Sequence, residues 1–154
     1  MTEMEGNLSG AGKSFALVVA RFNELVTERL TQGAADCLRR HGVEEEGIRL
    51  IRVPGAWELP QVVSRVASSG RYQGVVALGC IIRGGTPHFD FVAGEAVGGL
   101  GQVARSASVP VTLGVLTTDS VEQALERAGT KAGNKGWEAA LSALEMASLF
   151  EKLE

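Results

Sequence analysis

The chain has 154 residues, 45% of them hydrophobic, with 20 Gly, 4 Pro and a formal net charge of −3. That length suits one domain with its own core, and the composition excludes a disordered chain. With no basic arm or patch there is no case for a nucleic-acid partner, and two cysteines are too few for a disulfide framework. No apolar run is long enough to span a membrane and no signal-peptide pattern is present, so no membrane association is expected and the cytoplasm is the expected compartment.

Residues 1–13 are rich in Gly, Ser, Glu and Asn and are expected to form a flexible N-terminal segment until something ties them down. Residues 14–154 are expected to form a single domain. Phe15 to Ala20 is a continuous apolar run that predicts a buried strand, ended by Arg21, Phe22 and Asn23. A helix follows to about His41, with Val26, Leu30, Ala34, Cys37, Leu38 and His41 recurring at spacings of three and four. His41 and Gly42 read as its C-terminus, which accounts for that histidine.

Ile48 to Val53 predicts a second strand, Pro54 and Gly55 a turn, and Trp57 to Ser68 a second helix, kinked or started late by Pro60. The third strand spans 74–82 and the third helix about 87–107, with Thr86 as a natural N-cap and Pro87 as a natural first helical residue. Pro110 introduces a fourth strand over 111–118. Asp119 or Thr118 can cap a helix over 120–128, Gly129 to Gly136 interrupts, and a last helix carries Trp137, Ala140, Leu141, Leu144 and Ala147 on one face. Strands apolar on both faces that alternate with helices predict a four-stranded parallel sheet covered on both sides, a three-layer αβα sandwich.

In an open parallel sheet, ligands bind beyond the carboxyl ends of the strands. The segments there are Arg21–Asn23, Pro54–Glu58, Cys80–His88 and Leu116–Asp119. The third is the most informative. Glycines at 84 and 85 let backbone approach a ligand, and the free N–H groups of a helix start favour phosphate or carboxylate. His88 falls in that first turn. Such junctions also occur as plain connections, and a first-turn histidine is often only surface, so the residues alone leave both readings open. The same holds for Phe22 and Trp57, which serve equally as lids on the core, for Glu58 as a helix-start carboxylate, and for Arg127 and Lys135 as dipole partners or solvated charges.

Three segments in order, VPGAWELP at 53–60, GCIIRGGTPHFD at 79–90 and LTTDSVEQALERAGTKAGNKG at 116–136, give the chain a resemblance to the lumazine synthase family of riboflavin biosynthesis, over about residues 14–150. The resemblance implies a flavodoxin-like fold. It also implies condensation of 5-amino-6-(D-ribitylamino)uracil with 3,4-dihydroxy-2-butanone 4-phosphate to 6,7-dimethyl-8-ribityllumazine, phosphate and water. Amine and ketone form an imine, phosphate is eliminated, and the ring closes. No step moves a hydride or needs an electron sink, so neither cofactor nor metal is expected.

The resemblance assigns Phe22 to stacking on the pyrimidine and Glu58, with the backbone of Ala56 and Trp57, to the ribityl chain. The backbone of Cys80, Ile81 and Ile82 takes the uracil edge. Gly85 and Thr86 meet the phosphate on one side. Arg127, with Lys135 at the far end of its glycine-rich segment, meets it from a neighbouring subunit. His88 becomes the general acid/base. Trp57 stands where many members carry Phe, and Leu113 where many place an aromatic over the pyrimidine, so stacking is expected to be one-sided here. The implied assembly is a homopentamer. The short connection over 129–136 points to pentamers joined into an icosahedral shell, with riboflavin synthase as the expected enclosed partner and the N-terminus adding to a neighbour's sheet edge. Two other classes compete: a non-catalytic flavin or lumazine binder, and the related archaeal-type riboflavin synthase. Neither needs both His88 and a phosphate grip.

Overall fold

A computed structural model describes residues 1–154. In chain order the elements are β1 (Phe15–Ala20), α1 (Glu24–Arg40), β2 (Ile48–Val53), α2 (Leu59–Ala67), β3 (Gly74–Ile82), α3 (His88–Ser106), β4 (Val111–Thr118), α4 (Val121–Glu126), β5 (Ala128–Thr130), β6 (Gly133–Asn134) and α5 (Lys135–Leu153), with 3₁₀ turns at Glu45–Gly47 and Ala56–Glu58. The four main strands form one all-parallel sheet in the order β2-β1-β3-β4.

The bounds of β1 and β3 coincide with unbroken apolar runs of the sequence, because a strand buried on both faces has no polar positions to blur its ends. In β1 alternate residues serve opposite layers. Phe15, Leu17 and Val19 pack with α1 and α5, whereas Ala16, Val18 and Ala20 pack with α2 and α3. The result is the flavodoxin-like three-layer sandwich. Sheet order explains where its crevice lies. From β1 the chain moves outward to β2 through α1. It then returns past β1 to β3 and β4 through α2 and α3 on the opposite layer. The order reverses beside β1, and the loops after β1 and β3 diverge there to open a cleft.

Several sequence expectations need correction. The strands are not all apolar on both faces: Arg49, Leu50 and Arg52 of β2 are exposed, because β2 is an edge that the helical layers cover incompletely. Arg52 pairs with Glu28 of α1. Thr86 does not cap α3. Pro87 occupies the N-cap without a side-chain bond, and the helix opens at His88. Neither Thr118 nor Asp119 caps α4; Ser120 does, its Oγ accepting from the Gln123 N–H at 3.2 Å. The segment 129–136 is not a plain interruption but most of a small antiparallel hairpin, β5–β6, that turns at Lys131 and Ala132, with left-handed glycines at Gly129 (φ 113°), where β5 bulges, and at Gly133 (φ 78°), where β6 begins. Glycine meets that left-handed requirement without strain. Pro60 falls at the start of α2, which begins after the 3₁₀ turn.

Residues 1–13 contain no helix or strand. Part of the segment lies along α5: the Asn7 N–H donates to Ser148 Oγ at 2.7 Å, Ser148 Oγ donates to the Asn7 carbonyl at 3.0 Å, and Lys152 donates to the Glu5 carbonyl at 2.8 Å. The Gly10 N–H reaches the His41 carbonyl at the end of α1 at 2.7 Å. No helix is long and apolar enough to cross a membrane.

Candidate active site

The cleft at the carboxyl ends of β1, β2 and β3 holds a cavity of about 650 Å³, large enough for a drug-sized ligand. Its walls come from three loops. Phe22 and Asn23 follow β1, Gly55 to Glu58 follow β2, and Cys80 to Ile82 with Gly84, Thr86, His88, Phe89, Phe91 and Val92 belong to β3, its loop and the start of α3.

The β1 loop is set by backbone bonds that prolong the sheet. The Arg21 N–H donates to the Val53 carbonyl at 2.8 Å, and the Phe22 N–H to the Pro54 carbonyl at 3.2 Å. Asn23 then turns left-handed (φ 63°, ψ 48°), a conformation asparagine tolerates better than most residues. Its amide Nδ2 donates to the Cys80 carbonyl at 2.8 Å, tying the ends of β1 and β3 together across the cleft. One lone pair of that carbonyl is therefore already engaged. Phe22 is 72% exposed and Trp57 60%, which rules out core lids and leaves two aromatic faces open at the cavity mouth.

Glu58 sits at the N-cap of α2 but makes no side-chain cap bond, so its carboxylate is not spent on the helix start. It lines the cavity instead. Cys80 is buried, and loss of hydration pushes its thiol up to about 11. It stays protonated and unreactive near neutral pH, consistent with a role through its main chain. Cys37, buried in α1, is likewise pushed up to about 11, first by burial and then by the charge of Asp36.

At the β3–α3 junction the backbone around Gly84 and Gly85 has open space, with no heavy atom within 4 Å of where a side chain would begin. His88 is exposed on the first turn of α3 and lines the cavity with Thr86. Arg83, just past the end of β3, contacts the two residues that follow His88, Phe89 and Asp90. The backbone N–H of Arg83 donates to the Thr118 carbonyl at 2.8 Å. Its guanidinium donates to Asp119 (2.9 Å) and Asp90 (3.5 Å) and lies 4.4 Å from the centre of the Phe89 ring. These acidic partners, the Asp119 hydrogen bond foremost, hold the Arg83 guanidinium more firmly protonated than usual.

The fold thus brings Phe22, Ala56, Trp57, Glu58, Cys80, Ile81, Ile82, Thr86 and His88 around one cavity, with Gly85 in the same loop. It does not bring Leu113, Arg127 or Lys135 to that cavity. Leu113 lies on the outer strand β4, opposite Ala77 of β3. Arg127 closes α4, where its guanidinium donates only to the Gln123 carbonyl of its own helix at 3.1 Å. Lys135 begins α5, behind the hairpin. Asn23, Phe89, Phe91 and Val92 are wall residues that the sequence reading did not single out. A polar residue closing an apolar strand was the available signal for Asn23. For Phe89 and Phe91 it was an aromatic pair in the first turn after the glycine loop. No three His, Cys, Asp or Glu side chains gather as a metal-holding group.

A parallel α/β sandwich with an apolar cleft at its switch point, open aromatic faces, an unengaged carboxylate and a glycine-rich helix start defines a small-molecule enzyme of the flavodoxin-like class. The profile of the 6,7-dimethyl-8-ribityllumazine synthase family matches residues 12–151. The chain is 55% identical over 150 residues to the 6,7-dimethyl-8-ribityllumazine synthases of Chlorobium phaeobacteroides and Chlorobaculum tepidum, covering 97% of this chain and 97% of each relative. It is 53% identical over 151 residues to that of Chlorobium chlorochromatii, covering 98% of this chain and 97% of the relative. The chain belongs to the 6,7-dimethyl-8-ribityllumazine synthase family, transferases of riboflavin biosynthesis.

Proposed function

We propose that this chain condenses 5-amino-6-(D-ribitylamino)uracil with 3,4-dihydroxy-2-butanone 4-phosphate in the cleft beyond β1, β2 and β3, releasing 6,7-dimethyl-8-ribityllumazine, phosphate and water. The observation that carries the reading is the joining of Phe22, Trp57, Glu58, the Cys80–Ile82 backbone, Thr86 and His88 around one cavity of about 650 Å³. The pyrimidine stacks on Phe22, and its edge meets the backbone of Cys80, Ile81 and Ile82. The ribityl hydroxyls donate to Glu58, with the backbone of Ala56 and Trp57 alongside. The phosphate of the second substrate lies at Gly85 and Thr86, where the free N–H groups of the α3 start favour an anion.

The ketone of the butanone phosphate then faces the pyrimidine amine, and His88 is placed to move protons as the imine forms and phosphate leaves. General acid–base help contributes about 10²–10⁴-fold, so holding both substrates in register supplies most of the rate. Arg127 and Lys135 lie outside this cavity in their own chain. In the proposed assembly a neighbouring subunit supplies Arg127 to the phosphate, with Lys135 close by, and Leu113 walls the pyrimidine. Every subunit must give and receive Arg127, which requires closed symmetry. The closed unit is a pentamer, and pentamers join into an icosahedral shell in the cytoplasm, with room for riboflavin synthase inside.

The test is to mix the protein with both substrates and follow lumazine absorbance. Retention of the pyrimidine without turnover would instead favour a binder. Sedimentation tests the assembly: a discrete pentamer rejects the shell, and an active monomer rejects the shared site.

A further inference from the structure

The loop Gly84–Pro87 has no side-chain tether of its own. No side-chain hydrogen bond reaches these four residues, Pro87 caps α3 without a side-chain bond, and the space around both glycines is open. Yet this loop joins the end of β3 to the turn carrying His88. What spans it is Arg83. The residue is fixed at its backbone by the Thr118 carbonyl, and its guanidinium bridges Asp119, beyond β4, and Asp90, in the first turn of α3. The flat of the guanidinium lies 4.4 Å from the centre of the Phe89 ring, and Phe89 itself lines the cavity. Asp119 is steadied in turn by its own N–H, which donates to the Gln123 side chain at 2.8 Å.

Each of these contacts is at the surface, where ion pairs contribute little to stability. Their common effect is geometric: they fix α3's first turn relative to the ends of β3 and β4, across a loop that glycines leave pliable. A planar fork with five donors can hold two carboxylates and stack on a ring at once; an ammonium cannot. Resting on the reaction proposed above, we infer that Arg83 is a positioning residue, holding His88 and the phosphate cradle of residues 84–86 in register through Asp90, Asp119 and Phe89, without itself touching substrate.

The test is the kinetics of Arg83→Gln and Arg83→Lys beside the unaltered protein, with inorganic phosphate as a probe of the cradle. Arg83→Gln is expected to lower kcat about 3- to 10-fold, since small misplacements cost rate steeply. It is also expected to raise both the KM for the butanone phosphate and the inhibition constant of phosphate by a similar factor, while the pyrimidine KM stays within about twofold. Arg83→Lys is expected to recover only part of the loss. In a His88→Ala background the kcat loss from Arg83→Gln should shrink, because the group being positioned is gone. Unchanged kinetics in Arg83→Gln, equal changes in both KM values alongside a lower melting temperature, or an undiminished loss in the His88→Ala background would each overturn the inference. No lumazine from the unaltered protein would overturn the proposed reaction, and the role of Arg83 with it; turnover unaffected by either Arg83 variant would overturn the role alone.

Discussion

Arg127→Ala separates a residue that binds substrate from one that holds the fold. Within its own chain the Arg127 side chain makes one hydrogen bond, from Nη1 to the Gln123 carbonyl at 3.1 Å, and it is exposed. Its backbone bonds, N–H to Gln123 and Ala124 and carbonyl to the Lys135 N–H, survive truncation. One exposed hydrogen bond contributes at most about 0.5–1 kcal/mol. For a chain of this size that shifts the melting temperature by no more than about 2–4 °C. A charge-assisted bond to a phosphate is worth about 1.5–3 kcal/mol, or roughly 10- to 100-fold in affinity. The expectation is a rise of that size in KM for 3,4-dihydroxy-2-butanone 4-phosphate, with the pyrimidine KM little changed. The assay is steady-state lumazine formation with each substrate varied in turn, beside a thermal melt. Equal rises in both KM values, or a melt lowered well beyond a few degrees, would instead make Arg127 a structural residue.

His88→Ala should slow single-turnover chemistry by about 10²-fold, the low end of the range for general acid–base help, while leaving substrate binding mostly intact; an unchanged rate removes His88 from the mechanism. Gly99→Ala should destabilise the chain by about 1–3 kcal/mol in denaturant titration, because a Cβ there would lie 2.9 Å from Pro60 Cγ where α2 meets α3; a neutral effect would show that this contact yields freely. Cys37 and Cys80 should resist Ellman's reagent in the native protein near pH 8. Both thiols are raised from 9.0 to about 11, so the unfolded chain ionises first. Stability is then fully present below about pH 9 and falls toward pH 11, by up to about 2–3 kcal/mol per thiol, and a Cys37→Ala/Cys80→Ala variant should show a flatter profile over that window.

The four strands were legible to the residue, β1 and β3 as unbroken apolar runs and β2 and β4 as mixed runs bounded by Gly47 and Pro54 and by Pro110 and Asp119, and both layers of helices followed from their alternation with the strands. Helix starts were less legible. Thr86 and Asp119 have the right chemistry for capping, but each helix begins one residue later, with Pro87 and Ser120 at the caps. The β5–β6 hairpin was missed because its strands are too short to show alternation, though Gly129 and Gly133 flank its turn. In the site, topology marked the residues that follow strand ends as candidates, and only the family resemblance gave them roles. Asn23 and Phe89 were not, since their importance lies in contacts with Cys80 and Arg83 that sequence spacing does not reveal. Exposed Arg49 and Arg52 were in plain view, but which strand becomes an edge is a property of the assembled sheet.

The most direct test of the account is the product balance of the purified protein supplied with both substrates, measured as lumazine formed against inorganic phosphate released. One phosphate is expected for each lumazine, with neither product from either substrate alone. Phosphate released without lumazine, or pyrimidine bound tightly with no product of either kind, would contradict it.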